Sequence, residues 1–251
     1  MAKKLTHWII ASLFAISLFL FPTHIKADVL IKKIKHTDET TDMMGQPQPS
    51  KDEEGIVWMA KDKMRDDMGE TSIIVRFDLK KIYIIDHSKK TYSETDLPID
   101  LEKVIPPEAK QIMKMMQVTT NFSVTNETQK IKNWDCNKHL VEITVSMMGM
   151  KILIKMEIWA SKDLGINLNA YHKSYSAILS TNPFTKGLSE EVKKMEGYPV
   201  VTIYSMTISG TETKYREEVV SVEKKGAPAG IYDLPQGYKK IPFNPLGQNN
   251  L

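Results

Sequence analysis

The stretch from His139 to Ala160 decides the fold, and it reads HLVEITVSMMGMKILIKMEIWA. Apolar and polar residues alternate along its first half, and the alternation resumes after the connection 147–150. The apolar positions that share one face are Val141, Ile143, Val145, Ile152, Ile154, Met156 and Ile158. Alternation on both sides of a short connection that contains Gly149 predicts an antiparallel hairpin with one buried face. Each arm spans roughly 8–10 residues, which is long for a strand and favours a barrel or a deeply bent sheet.

Shorter strand-like segments flank this hairpin. They recur at intervals of roughly ten residues, a spacing that is typical of an antiparallel meander. The predicted strands are 29–34, 56–60, 73–77, 82–85, 91–93 and 118–124, and a last hairpin pairs 200–208 with 213–222. The polar stretch 37–54 is predicted to be a long loop, and the charged stretch 61–69 is predicted to be a turn.

Two segments break the β pattern and predict amphipathic helices. Residues 107–117 begin at a proline pair, which fits the first turn of a helix. Their apolar positions follow the spacing of a single helical face, and they are Ala109, Ile112, Met113 and Met116. Residues 188–196 place Leu188, Val192 and Met195 on one face, and Gly197 is a suitable stop.

The first 27 residues are typical of a bacterial export signal. Two lysines precede the uncharged apolar run 8–21, and Ala27 offers a small residue at the cleavage point. The run is well short of the roughly 20 residues that a membrane-spanning helix needs. We therefore predict a signal peptide over 1–27, a single domain over 28–243, a loose polar tail over 244–251, and a location in the periplasm.

The charge balance gives no sign of a nucleic-acid partner. The sequence has 34 basic and 31 acidic residues, and three of the lysines but none of the acids belong to the leader. The exported chain is therefore formally neutral, and we expect no nucleic-acid binding. Cys136 is the single cysteine, so an internal disulfide is impossible, and we expect its thiol to be buried and inert.

Patterns that support catalysis are weak, and we expect neither an enzyme nor a bound cofactor. The sequence contains no His-Glu-x-x-His motif and no Gly-x-Ser-x-Gly elbow. Cys136 and His139 lie three residues apart on a predicted strand, so they would point to opposite faces. Asp62, Asp66 and Asp67 could bind a hard cation, but a solvated charged turn is the simpler interpretation.

Methionine is the unusual residue of this sequence. Fifteen occur in 251 residues, with clusters at 113–116 and 147–150. Thioethers are soft ligands suited to copper(I), which allows a metal-handling function. Methionine is also flexible and polarizable, so it suits adaptable apolar surfaces. Because neither cluster has a histidine or cysteine within a few residues, we prefer the apolar lining of a cavity and assign no metal site.

Four motifs carry a resemblance to a known family. They are 85–92 (IDHSKKTY), 131–139 (IKNWDCNKH), 195–200 (MEGYPV) and 230–239 (GIYDLPQGYK). In this order they resemble a family of uncharacterised exported domains with a LolA/LolB-like lipoprotein-carrier fold. The resemblance implies an incomplete, half-open antiparallel barrel of about ten or eleven strands around an apolar cavity, with two or three helices as a lid. Carrier relatives shield acyl chains in such a cavity, which implies a ligand of the same kind.

Together these features predict a binding protein for a lipid, an acyl chain or another apolar ligand. The candidate lining residues are Ile112, Met113 and Met116 from the lid helix, and Val141, Ile143, Val145, Ile152, Ile154, Met156 and Ile158 from the hairpin. A lipoprotein or another envelope protein is a further candidate partner. The alternatives are copper handling through the methionine clusters, and a structural envelope-interaction module with a fully packed core.

Overall fold

The computed structural model describes residues 28–41, 46–147, 149–208 and 210–245. In one helix, the side chains of Glu108, Ala109 and Ile112 are outside the described part. The predicted signal peptide and residues 246–251 of the predicted tail also lie outside the described residues.

Strands make up most of the described chain. They are β1 (Asp28–Thr37), β2 (Thr40–Thr41), β3 (Pro47–Gln48), β4 (Lys51–Met59), β5 (Lys63–Met68), β6 (Thr71–Arg76), β7 (Lys81–Asp86), β8 (Thr91–Asp96), β9 (Gln117–Ile131), β10 (Trp134–Met147), β11 (Met150–Ser161), β12 (Tyr198–Ile208), β13 (Thr211–Lys225) and β14 (Lys239–Lys240). The helices are α1 (Leu101–Val104), α2 (Pro107–Lys114), α3 (Leu168–Leu179) and α4 (Leu188–Glu191), and a 3-10 turn continues α4 over Val192–Lys194.

Twelve of the strands form one sheet, in the order β14-β8-β7-β6-β5-β4-β1-β13-β12-β11-β10-β9. All neighbours in this sheet are antiparallel except β14 and β8, and β2 and β3 form a separate small ribbon. Among the described residues the two end strands, β14 and β9, do not pair with each other. The prediction of a mainly antiparallel β fold with few helices is therefore confirmed. The sheet is large and open, is not closed into a barrel, and has twelve strands where ten or eleven were expected.

The hairpin predicted from the stretch 139–160 is confirmed as β10 and β11. Its register places Val141 opposite Met156, Ile143 opposite Ile154, and Val145 opposite Ile152. Because directly opposed residues of an antiparallel pair project from the same side of a sheet, all seven predicted lining residues of the hairpin share one face. The arms are longer than expected, with 14 and 12 residues.

We call the face that carries Ile143 and Ile154 the inner face, and the opposite one the outer face. Strand registers place Ile31, Val57 and Val75 of the other half of the sheet on the inner face too. These residues are at most 2% exposed and belong to the same apolar cluster as Ile143. The inner face therefore contains the main core. Full burial of each such side chain stabilises the fold by about 1.5–3 kcal/mol.

The helical segment 168–194 packs on this inner face. Tyr171 of α3 and Leu188 of α4 are buried within the same cluster. At one end the Lys173 ammonium lies 3.9 Å above the ring of Phe77, which follows β6. At the other end a Cβ on Gly187 would lie 3.0 Å from Oγ1 of Thr120 in β9. The segment therefore spans the inner face from β6 to β9.

The helices differ from the prediction in extent. Helix 107–117 is found as α2, and it ends at Lys114. Helix 188–196 is shorter, because α4 gives way to the 3-10 turn. Its predicted face is confirmed, since Leu188, Val192 and Met195 are all less than 9% exposed. The stop at Gly197 has a steric reason: its φ is +134°, and a Cβ there would lie 2.6 Å from the backbone of Ser161.

Helices α1 and α3 were not predicted. The signal for α3 was present, because Asn167 caps its first turn by accepting a hydrogen bond of 3.1 Å from the Ala170 amide. Asparagine before an apolar run is a helix start signal.

Residues 63–68 of the charged stretch 61–69 form a strand, β5, so the prediction of a turn was wrong for them. Its charges alternate between the faces of the sheet. Arg65 and Asp67 project outward, where Arg65 donates hydrogen bonds of 2.8 and 2.9 Å to Asp67. Asp66 projects inward, opposite Ile73. Charged strand residues are compatible with burial when each has a partner, which composition alone did not reveal.

The C-terminal segment 226–241, which we call the strap, crosses the outer face of β5–β8. Arg65 donates to the carbonyl of Ile231 at 3.0 Å, and β14 then pairs with β8 at the edge of the sheet. Trp58 and Ile74 are the register partners of Arg65, and they are 6% and 0% exposed. The outer face of this half is therefore buried next to the strap.

Candidate functional site

The apolar inner face of β9–β12 is the first part of the candidate site. Val141, Ile143 and Val145 of β10 are at most 5% exposed. Their partners on β11 are only partly buried, although they pack against the same cluster, and they are Ile152, Ile154 and Met156. Ile158 is 9% exposed. The structure thus brings the seven predicted lining residues of the hairpin together, and burial decreases from β10 to β11.

Two of the three predicted lid residues, Met113 and Met116, pack against different clusters. Met113 of α2 packs with Leu101 and Ile105, which form a small cluster apart from the main core. Met116, just after the helix, packs against the main core. The side chain of Ile112 lies outside the described residues. Helix α2 is therefore anchored by a small core of its own, and its contact with the inner face comes from the residue that follows it.

The two methionine clusters meet at one end of the hairpin. Met115, Met147 and Met150 line a hollow of about 320 Å³. Met147 and Met150 are register partners beside the turn, and Met115 and Met150 are each 52% exposed. Because Met147 and Met150 follow Val145 and Ile152 on the inner face, the methionines extend the apolar stripe from the core to the sheet margin.

A buried ion cluster forms the second part of the site. Lys33 of β1 is 8% exposed, and its Nζ donates a hydrogen bond of 3.2 Å to Oδ2 of Asp66. The same Nζ lies 3.1 Å from Asp66 Oδ1 and 3.3 Å from Oε1 of Glu217 on β13. Oδ1 accepts no hydrogen bond from any described residue. One ammonium thus serves two carboxylates, and the cluster carries an excess of one negative charge.

Burial and ion pairing shift the pKa values of Lys33 and Asp66 in opposite directions. Burial would lower the pKa of Lys33, but the carboxylates of Asp66 and Glu217 outweigh it and raise that pKa well above its usual value. Burial raises the pKa of Asp66, and the nearby Lys33 offsets only part of that rise. The lysine therefore stays charged, and Asp66 is the group that takes up a proton more readily than an exposed aspartate.

Tyrosines surround the ion cluster on the inner face. Tyr171 of α3 and Tyr198 of β12 are buried, with ring centroids 4.8 Å apart. Burial raises the pKa of both phenols, so they remain neutral. Tyr204 and Tyr215 stack with centroids 4.4 Å apart. The arrangement offers aromatic faces beside an anionic centre.

Gly55 makes room for Lys33. It lies opposite Lys33 in the register of β1 and β4. A Cβ at this position would lie 2.7 Å from Cγ of Lys33 and 2.6 Å from the terminal methyl of Met68. Any other residue would displace the lysine stem, so the missing side chain lets Lys33 lie across β4 and reach β5. Sequence reasoning missed this cluster, because Lys33, Asp66 and Glu217 are far apart in the chain.

The residues weighed for catalysis are not brought together as a catalytic unit. Cys136 and His139 are fully buried on β10, and the Cys136 thiol donates a hydrogen bond of 3.6 Å to the carbonyl of Trp134 rather than to His139. Burial raises the pKa of the Cys136 thiol and lowers that of the His139 imidazole. Within the described ranges, no group of three or more His, Cys, Asp or Glu side chains is suited to hold a metal ion. Likewise, none of the described helices is long and apolar enough to cross a membrane.

The carboxylates considered for a hard cation are divided between the two faces. Asp66 belongs to the inner ion cluster, whereas Asp67 accepts hydrogen bonds from Arg65 and from Ser72 on the outer face. The interpretation of a solvated turn is also wrong for both, because each is held by a neighbouring strand. Their roles follow from the alternation of β5, which a correct strand assignment could have revealed.

A series of side-chain hydrogen bonds links two of the sequence motifs. Nε2 of His87 lies 2.6 Å from Oγ of the fully buried Ser72, and Nδ1 lies 2.8 Å from the hydroxyl of Tyr238. His87 comes from motif 85–92, and Tyr238 comes from motif 230–239. The two motifs therefore fasten the strap to the outer face, which is a structural role.

A larger hollow of about 550 Å³ lies mainly on the outer face of the β9–β13 half. Leu140 and Ile203 line it and are 40% and 39% exposed, beside charged residues such as Lys155 and Glu157. No described residue of the strap makes a backbone hydrogen bond to the strands of this half. The mixed lining of this hollow lacks the continuity of the inner apolar stripe.

The sequence matches the model of a known protein family over most of its length. The model of the family "Domain of unknown function (DUF4412)" matches residues 24–238. No curated protein matches the sequence. The match takes in β1–β13 and all the helices, together with the ion cluster, the tyrosines and the apolar inner face. With so much of its length covered by this one model, the chain belongs to the DUF4412 family, whose function is unknown.

Proposed function

We propose that this protein is an exported, periplasmic, non-enzymatic binding protein for a lipid, an acyl chain or another elongated apolar ligand. One observation carries the proposal. Ile152, Ile154 and Met156 remain partly exposed on the inner face, although their partners on β10 are buried in the main core. A stripe of partly covered apolar side chains, continuous with a packed core, suits the chain of an apolar ligand.

The methionines at the margin of the sheet support the same proposal. Met147 and Met150 continue the stripe outward, and flexible thioether side chains adapt to ligands of different shape. The tyrosines around the ion cluster offer polar hydroxyls at the other end. We propose that the ligand enters past the methionines and lies along β11, in a half-open arrangement like that of the LolA/LolB-like carriers. A lipoprotein that donates or receives the acyl chain is the matching partner.

The test compares two neighbouring positions on β11. Met156→Gln replaces an inner-face side chain, whereas Glu157→Gln changes the next residue, which projects outward. We expect Met156→Gln to weaken the binding of a fluorescent apolar probe by about three- to tenfold, because roughly 1 kcal/mol of apolar contact is lost. Glu157→Gln should leave the affinity unchanged. Equal affinities for wild type and Met156→Gln would exclude the inner face as the binding surface.

The natural ligand is identified by native mass spectrometry of the protein purified from its own host. A co-purified lipid or acyl chain supports the proposal. A fully stripped protein that also fails to bind the apolar probe supports the structural envelope module instead.

Copper handling is a second candidate, and the methionine hollow favours it. Three thioethers from two separate sequence clusters line one exposed hollow, and thioethers prefer copper(I) among biological metals. Met147→Leu and Met150→Leu remove sulfur but keep an apolar side chain of similar size. If copper(I) binds here, the double variant loses it in competition with a chelator, while binding of the apolar probe persists.

A further inference from the structure

Strand β9 is the open edge of the sheet. Its backbone pairs with β10 on one side, and no described residue makes a backbone hydrogen bond to its other side. At the opposite end of the sheet, β14 pairs with the first two residues of β8. Unpaired N–H and C=O groups on a long edge strand form a template for a further strand. The two ends of the sheet are therefore not equivalent.

The first ten residues of β9 lack the features that usually protect an edge. Between Lys114 and Glu127 the sequence has no charged residue, no proline and no glycine. Pairing with β10 is regular from Gln117 to Val124, and the register shifts only beyond that point. Charges, prolines and bulges are the devices that natural edge strands use against pairing. The segment 117–126 is instead rich in valine and threonine, which favour strands.

Two exposed valines lie on this edge. Val118 is 40% exposed and Val124 is 54% exposed. Their partners on β10 are Val145 and His139, so both valines lie on the inner face. The helical segment meets β9 between them, at Thr120, and leaves both valines uncovered. An apolar pair with the same orientation on an unpaired strand is suited to a partner strand.

We propose that two copies of the chain pair antiparallel through β9, with the two-fold axis at Asn121. In this register Val118 faces Val124 of the partner subunit, and Thr119 faces Ser123 of the partner subunit. No charged residue takes part over 117–125. The surface is self-complementary, as a two-fold interface requires.

The pairing also completes the open side of the apolar inner face. The two-fold axis runs through the sheet, so the inner faces of both copies lie on the same side. Phe122 is partly exposed between the two valines. In the dimer, the valines and Phe122 of both copies form one apolar surface, which continues the stripe of β10 and β11. The proposal of a dimer does not depend on whether the inner face binds a ligand.

Analytical ultracentrifugation of the purified protein tests the dimer. Thr119→Lys/Ser123→Lys adds two lysines to each edge and places like charges opposite each other. We expect this variant to dissociate the dimer about tenfold more readily or more, because like charges directly across a strand pair are destabilising. The matched control is Leu140→Lys/Thr144→Lys, which places the same charges at the register partners on β10 and should leave the dimer intact.

A cross-link tests the register. Asn121→Cys places two thiols opposite each other at the axis, so oxidation should produce a covalent dimer. Gln129→Cys lies on the same strand outside the paired segment and should remain uncross-linked, and native Cys136 is buried. A wild-type protein that stays monomeric at the highest concentration reached, or a dimer that the edge lysines leave intact, overturns the proposal. A dimer without the Asn121→Cys cross-link overturns the register at Asn121.

Discussion

Strand β1 divides the sheet into two halves that are covered differently. In the β4–β8 half, helix α3 packs on the inner face and the strap lies on the outer face. The adjacent residues Ile74 and Val75 point to opposite faces, and both are 0% exposed. In the β9–β13 half, the inner face is partly bare along β11, and Leu140 and Ile203 of the outer face are exposed.

The two halves of the sheet differ in strand length and in how fully their faces are covered. A strand that is buried on both faces contributes core on both sides, so short strands of six residues suffice in β5–β8. The strands of the other half have 11–15 residues, and they present apolar side chains that no neighbouring element covers fully. The first half is therefore packed on both faces, and the second presents the partly covered apolar surface on which we propose that a ligand lies.

The largest effect is expected where the two halves meet. Lys33→Met should destabilise the fold by about 3–5 kcal/mol, because Asp66 and Glu217 would then face each other without a cation in a mostly buried site. Chemical denaturation measures the loss. Asp66→Asn is the milder comparison, since Lys33 keeps Glu217 as its partner. If Lys33→Met unfolds at the wild-type midpoint, the ion cluster does not hold the halves together.

Truncation of isoleucine compares the halves directly. Ile74→Ala should cost about 2–5 kcal/mol, as is usual in a packed core. Ile154→Ala should cost less than about 2 kcal/mol, because its side chain is only partly covered, yet it should weaken binding of an apolar probe. Denaturation and probe titration on both variants supply the two measurements. Equal losses of stability would mean that the inner face of β11 is ordinary core.

A pH effect is expected from the open half. Burial lowers the pKa of His139, and the nearby Glu196 offsets little of this. The unfolded chain then binds the proton more readily, so His139 contributes stability above pH about 6.5 that is lost as the pH falls toward its folded pKa. The loss is at most about 1.4 kcal/mol per pH unit for one group.

Urea denaturation at pH 7 and pH 5.5 measures this effect. His139→Leu should show a smaller loss of stability on acidification than wild type. Part of the remaining pH dependence comes from His172, because burial lowers its pKa as well. An unchanged pH dependence in His139→Leu would show that this imidazole is not the titrating group.

The smallest effect is expected at the strap. Tyr238→Phe removes one hydrogen bond of 2.8 Å to His87 and should cost about 0.5–1.5 kcal/mol. Removal of the hydroxyl keeps the ring contact between the two side chains. Protease digestion of the strap should become faster in this variant, while probe binding on the inner face stays at the wild-type level. A loss of probe binding would contradict the separation of the two halves.

Local patterns in the sequence predict much of the fold. The alternation of β10 and β11 predicts their register and their shared face, because the side-chain period of a strand is two. The face of Leu188, Val192 and Met195 follows in the same way from helical spacing. These predictions succeed where apolar residues recur on one side of an element.

The remaining features depend on partners that are distant in sequence. The charged residues of β5 do not look like strand residues in the sequence. They are compatible with a buried strand only because Asp66 is paired with Lys33 of β1 and Arg65 is covered by the strap. Met113, a predicted lid residue, packs with Leu101 and Ile105, and no local pattern in the sequence indicates this contact. No local pattern predicts that Gly55 leaves space for Lys33, since that contact exists only after β1 and β4 have paired.

The strap has a consequence for assembly through strand edges. An open sheet has two edges, and a chain with both exposed could add copies without limit and form a filament. Because β14 pairs with the first two residues of β8, and the rest of that short strand carries the charged residues Glu94 and Asp96, the β8 edge resists pairing with a second copy. Growth through β9 therefore ends at two copies. The same short strand that closes the outer face thus also limits the size of any edge-paired assembly.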